Sequence, residues 1–88
     1  MDNKILIKIL KSMASEKRLL ILKCLHKNKE LSVGDLSEAI NSPFRSTSKD
    51  LAVLRSAELV QFRNFNLTKR YSINLSKFPK ELLTFLEN

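Results

Sequence analysis

The sequence predicts a mainly α-helical fold with a small β-hairpin, in the order ααααββα, and three observations predict it. Apolar residues recur at spacings of three and four from Ile5 to Leu59. The spacing changes to alternation at Val60–Arg63 and again at Arg70–Ile73, and it returns to a helical pattern near the C-terminal end. One Gly and two Pro leave little of the chain for irregular structure. At 88 residues, a single domain spanning residues 1–88 with one modest core is expected.

The first helix is expected over Asn3–Met13, where Leu6, Ile9, Leu10 and Met13 form one stripe and Lys4, Lys8 and Lys11 another. Ser15 can cap a second helix from Glu16 to about His26, with Glu16 at the positive end of its dipole. Leu19, Leu20, Ile21, Leu22, Cys24 and Leu25 make that helix apolar nearly all round, so it is expected at the centre. His26 to Glu30 reads as a turn. Ser32 and Asp35 have capping-box spacing at the start of a third helix that ends near Ile40, with Val33, Leu36 and Ile40 facing inward. Asn41, Ser42 and Pro43 form the next turn. Pro43 suits the first position of a fourth helix, where its missing N–H would have been unpaired.

The fourth helix has two faces of opposite chemistry. Phe44, Thr47, Leu51 and Leu54 lie on one side and are expected to pack inward, while Arg45, Ser46, Lys49 and Ser56 project from the other. Small donors and cations at the leading end of an exposed helix suit base edges and phosphates in a DNA major groove. Two short helices joined by a tight polar turn, the second with a basic face, make a helix-turn-helix. Val60 and Phe62 then alternate with Gln61 and Arg63, and Tyr71 and Ile73 with Arg70 and Ser72. Asn66 between them tolerates the left-handed backbone of a hairpin turn. The result is a two-stranded wing, followed by a final helix from about Pro79 to Leu86. Phe65 and Leu67 at the wing tip are expected to tuck back against the domain; a minor-groove wedge and a protein contact are the alternatives.

Sixteen Lys and Arg against nine Asp and Glu give a net charge of +7, which favours nucleic acid first and an anionic membrane second. The charge is also one-sided. No acid occurs between Glu58 and Glu81, a stretch holding Arg63, Lys69, Arg70, Lys77 and Lys80. Cys24 is the only cysteine, so a disulfide within the chain is excluded and a reducing cytoplasm is expected. Lys8 and Lys11 interrupt the early apolar stretch, which argues against a secretory signal, and no run is long enough to span a bilayer. The setting of Cys24 among leucines points to a buried, inert thiol, and His26 falls at the negative end of its helix. No enzyme is expected: the lone Cys and His stand two residues apart, on different sides of a helix, and no Gly-rich phosphate loop exists. Ile5, Leu6, Ile9 and Leu10, with Leu82, Leu83, Phe85 and Leu86, are more apolar surface than the terminal helices of so small a monomer readily hide. A two-fold dimer interface is therefore expected there.

The stretches MASEKRLLILKCL, ELSVGDLSEAI and SKDLAVLRSAELV, with Arg63, Tyr71 and Ile73 in the wing, resemble the ArsR-type (ArsR/SmtB) winged helix-turn-helix repressors. The resemblance covers Met13 to Asn74. It implies a homodimer whose first and last helices (3–13 and 79–87) form the interface, and a fourth helix that enters the major groove of a palindromic operator. Arg45, Ser46, Ser48 and Lys49 would be the recognition residues, and Lys69 and Arg70, with Arg63, would hold the wing to DNA. Several positions depart from the family. Ser32 and Gly34 stand where metal-sensing members carry two cysteines in ELCVCDL, and Lys80–Asn88 has neither the His nor the Asp of the other common metal site. Metal sensing is not expected, since it needs several converging thiolates or imidazoles. Asp50 replaces a common His, where it could accept from a cytosine amine or pair with a nearby cation. Glu58 replaces a common Gly and would strain the turn. Ser42 replaces an apolar residue, with Phe44 expected to fill that pocket. The function expected is that of a sequence-specific transcriptional repressor partnered by double-stranded DNA and by itself. No cofactor, membrane or identifiable small-molecule ligand enters this reading. A protein-interaction module is the alternative.

Overall fold

Helix α2 (Glu16–Asn28) is the axis of the molecule, because Ile21, Leu22 and Leu25 are sealed from solvent on the side that meets every other layer. The computed structural model describes residues 1–87; Asn88, the last residue of the expected domain, lies outside them. Ser15 caps α2 by accepting from the Arg18 amide at 3.4 Å. The helix runs two residues beyond its expected end at His26, and the Asn28 side chain donates to the Cys24 carbonyl at 3.0 Å. It stops at Lys29, whose φ of 66° and ψ of −54° make a γ-turn closed by the Glu30 amide on the Asn28 carbonyl at 2.7 Å.

Helix α1 (Asn3–Met13) starts at Asp2, which accepts from the Lys4 amide at 2.7 Å, and packs on α2 and the later helix α4. Its buried line is Ile9 and Ser12, with Leu6 and Met13 half-covered. Leu10, expected on that line, is instead exposed, because Ser12 takes the inward position and turns its hydroxyl onto the Ile9 carbonyl at 2.8 Å.

The sheet has three strands in the order β1-β3-β2, one more than the hairpin expected. Strand β1 is only Leu31–Ser32, too short for alternation to show, and it pairs antiparallel with β3 through Leu31↔Tyr71 and Ser32↔Arg70. Ser32 then caps α3 (Val33–Ala39) by accepting from the Asp35 amide at 3.1 Å. Asn41, at φ 54°, closes α3 with a 2.9 Å bond from the Ser42 amide to the Ser37 carbonyl. The Lys17 ammonium donates to the Ile40 carbonyl at 2.9 Å, placing a cation at the negative end of α3.

Helix α4 (Phe44–Ser56) follows, with Pro43 one position ahead of the expected one, as the N-cap. Strands β2 (Val60–Phe65) and β3 (Thr68–Ile73) form the wing, and Asn66 takes the left-handed backbone at φ 56°. The expected last helix is two pieces, α5 (Lys80–Leu83) and a 3-10 turn over Thr84–Glu87 that packs on α2. One core joins Ile9, Ile21, Leu22, Leu25, Leu36, Leu51, Leu54, Leu59, Tyr71, Phe78 and Leu86, whereas Leu20, expected in the apolar interior of α2, is exposed. Among the described residues, no helix is long and apolar enough to cross a membrane.

Candidate nucleic-acid interface

The rotation of α4 about its own axis decides what it can present. Thr47, Leu51 and Leu54 are wholly buried against the core, and the Thr47 hydroxyl satisfies itself on the Pro43 carbonyl at 3.0 Å. With that side fixed, Arg45, Ser46, Ser48, Lys49 and Ser56 are all exposed. Arg45 and Lys49 join no ion pair among the described residues. Phe44 departs from expectation: it is 61% exposed and fills no pocket beside Ser42. It is the first residue of the helix, and Thr47, Leu51 and Leu54 alone supply the buried side of α4, so nothing packs over it.

Asp50 is turned away from the exposed side. Its carboxylate takes a 3.1 Å bond from the Arg18 guanidinium, whose Nε also donates to the Ser12 carbonyl at 2.6 Å. A single arginine thereby ties the end of α1 to α4 and meets the carboxylate that would otherwise repel phosphate.

The wing brings three cations together on two strands. Arg63 lies directly across from Arg70, and Asn64 from Lys69. Like charges in register repel, and two features offset this. Glu30, delivered by the γ-turn after α2, takes the Arg63 fork at 2.7 and 2.9 Å. The Phe65 ring then sits beneath both guanidinium groups, 5.1 Å from Arg63 and 5.2 Å from Arg70. The Arg63 fork holds the Glu30 carboxyl below the usual carboxylate range, mainly through the hydrogen bond. Arg63, expected to reach DNA, therefore has its fork closed on a carboxylate. Arg70 is half-buried, whereas Lys69 is exposed.

Phe62 joins the wing to α4. Its ring lies 5.4 Å from Tyr71 and carries Arg55 of α4 at 4.8 Å and Lys69 of β3 at 4.7 Å. Glu30, Arg55 and Phe62 were not among the candidate site residues. Only the alternation at Phe62 hinted at a role, since pairing across elements leaves no trace in local spacing. Leu67 does not tuck back; it stands fully exposed at the tip, since the two-residue turn carries it beyond the body. The first turns of α4 and the outer wing border one cleft of about 540 Å3, which includes Phe44, Ser48, Leu67, Thr68 and Lys69 in its walls. Of the expected recognition and wing residues, Ser48 and Lys69 line this opening.

Two expected interface residues are spent elsewhere: Ile9 and Leu86 lie in the core at 3% and 4% exposure. Ile5, Leu10 and Phe85 remain exposed, and Leu6, Leu82 and Leu83 are half-covered. The Cys24 thiol is half-buried, and burial pushes its pKa up. Among the described residues, no three His, Cys, Asp or Glu side chains gather closely enough to hold a metal ion.

No family profile matches the chain. The uncharacterized HTH-type transcriptional regulator YceK of Bacillus subtilis (strain 168) is 34% identical over 87 residues, spanning 98% of this chain and 87% of that protein. Reduced HlyU from Vibrio cholerae N16961 superposes with a TM-score of 0.79 at 36% identity, covering 96% of this chain and 83% of its own. The homodimeric winged helix-turn-helix DNA-binding domain of Mb0332 from Mycobacterium bovis, a possible ArsR-family regulator, shares the fold. Its TM-score is 0.80 at 23% identity, over 96% of this chain and 73% of that one. With the rotation of α4, the wing and these likenesses together, the chain belongs to the ArsR/SmtB-type winged helix-turn-helix transcriptional regulators.

Proposed function

We propose that the protein represses transcription as a cytoplasmic homodimer on a palindromic operator, without a cofactor, small-molecule ligand or metal signal. The observation that carries this reading is that the first turns of α4, with Arg45 and Lys49 exposed, and the wing, with Lys69 exposed, border one opening. Arg45, Ser46, Ser48 and Lys49 would meet base edges and phosphates in the major groove, while Lys69 and Arg70 grip backbone beside it. Arg63 serves through Glu30, as a strut that sets the angle of the wing. Two copies with recognition helices ~34 Å apart would fit successive major grooves on one side of the duplex. A metal-independent role is supported by α3, where the Ser32 hydroxyl is engaged on Asp35 and Gly34 has no side chain to ligate with.

Selection of bound fragments from random duplex DNA tests this, and a palindromic site is the expected product. On that site Lys49→Ala and Arg45→Ala should each cost about 1–3 kcal/mol and relax base preference. Lys69→Ala should weaken all sequences alike and lower the salt slope by roughly one. If Lys49→Ala leaves affinity for every duplex unchanged, the recognition helix is misassigned. The fully exposed Leu67 favours the rival reading, a protein-interaction module; failure to select any duplex would decide for it.

A further inference from the structure

We infer that Phe44 is a base-reading residue that takes the 5-methyl groups of thymine in the major groove, an inference that rests on the regulator reading above. The ring is a large apolar group, 61% exposed, on the first residue of α4. Leaving such a side chain in water forgoes stabilisation that burial would supply. The N-terminal residues of a recognition helix are those that approach base edges. Phe44 has Arg45 beside it and Ser48 one turn further along the same side of the helix.

The surroundings say what kind of partner covers it. Val33, Leu67 and Tyr71 continue the apolar wall of the cleft, and among the described residues Lys69 is the only charged one lining it. Among the described residues the wall has no carboxylate, so a polyanion enters unopposed while a basic protein surface finds no counter-charge. A second copy docked through α1 is also a poor candidate, since α1 lies against Val53, Ser56 and Ala57 at the far end of α4. That end is about 18 Å along the helix from Phe44. In a polyanionic duplex, the apolar group offered at the major-groove base edges is the thymine methyl, and phenylalanine is one of the side chains that contacts it. The minor groove offers none. Ser48 can then bond the neighbouring base edge, so the pair reads a thymine step by shape and one hydrogen bond.

The test compares the duplex selected above with one in which deoxyuridine replaces every thymine, which removes only the methyl groups. In mobility-shift titrations at fixed salt, the natural protein should lose about four-fold in affinity per contacted methyl, the partition of one buried CH2-sized group. Phe44→Ala should bind both duplexes equally, at about the affinity the natural protein shows for the deoxyuridine duplex. Its melting temperature should be unchanged because the ring is exposed. Phe44→Leu, a second variant that keeps an apolar surface, should retain part of the discrimination. Equal binding of the two duplexes by the natural protein overturns the inference, as does a selected site without thymine. So does a Phe44→Ala protein that keeps the full ratio, since the methyls would then be read elsewhere. If no duplex is bound at all, the regulator reading falls and this one with it; tight binding that ignores the methyls removes this one alone.

Discussion

Glu58 shows how one residue's departure from a pattern becomes a physical property. It sits just past α4 at φ 60°, where its amide donates to the Arg55 carbonyl at 2.9 Å and the Leu59 amide to the Leu54 carbonyl at 3.0 Å. This two-bond helix stop needs a left-handed residue, and a side chain with a Cβ is strained there by ~1–2 kcal/mol. The Glu58 side chain is exposed, so its loss removes no packing. Glu58→Gly should therefore stabilise the protein by about 0.5–1 kcal/mol, the strain relieved less the added freedom of the unfolded chain. Urea unfolding reads this as a higher midpoint at constant slope; a lower midpoint would show that the turn is unstrained. The strain at Glu58 was legible through the family resemblance, which places a Gly at that helix end. Phe44 was not legible, because periodicity assigns a side to each residue but cannot say where the neighbouring element ends. Thr47 and Phe44 share a spacing pattern, yet one is wholly buried and the other 61% exposed.

At the scale of the element, the wing depends on a tether outside itself. Glu30 reaches it from the γ-turn behind α2 and neutralises Arg63, which would otherwise face Arg70 unrelieved. The Glu30 carboxyl is held below its ordinary value of 4.5 in the folded protein. For an acid lowered by folding, the stabilisation is complete above the unfolded value and disappears as pH falls through the folded one. The tether should therefore hold at neutral pH and release in acid below about 4.5. Because the pair is solvent-exposed, its effect is small and weakened by salt. Glu30→Gln should lower the unfolding midpoint slightly at pH 7, and the gap from the natural protein should close as the pH falls through the lowered Glu30 value. A gap that stays constant over this range would mean that the two side chains are not coupled. Neither β1 nor this clamp could be read from the sequence. A two-residue strand has no period, and Glu30 and Arg63 stand far apart in the chain. The capped starts of α2 and α3 and the wing's alternation were legible, since each is written within one turn or one strand.

For the whole molecule, the question is how one small domain holds DNA firmly enough to regulate it. A single helix and wing neutralise few phosphates, whereas two linked copies turn the second contact into an intramolecular one. The terminal segments are the surface on which such a pair could form. Both rest on α2, which uses Ile9 and Leu86 for the core, but Ile5, Ile7, Leu10 and Phe85 are left 55%, 51%, 46% and 60% exposed. The overall apolar excess of these segments was readable from composition, while its division between core and surface required the packing of α1 and the 3-10 turn. Replacing Leu10 and Phe85 together by Lys places a charge on the exposed side of each terminal segment without touching a buried side chain. This double variant should keep its helical circular dichroism and its melting curve at low concentration, yet sediment as a monomer. It should also lose at least ten-fold in affinity for a two-half-site operator while binding an isolated half-site as the natural protein does, because Arg45, Lys49 and the wing are unaltered. A variant that remains dimeric would move the interface to another surface. A monomer that binds the full operator undiminished would show that one domain suffices, and that pairing contributes nothing to the grip on DNA.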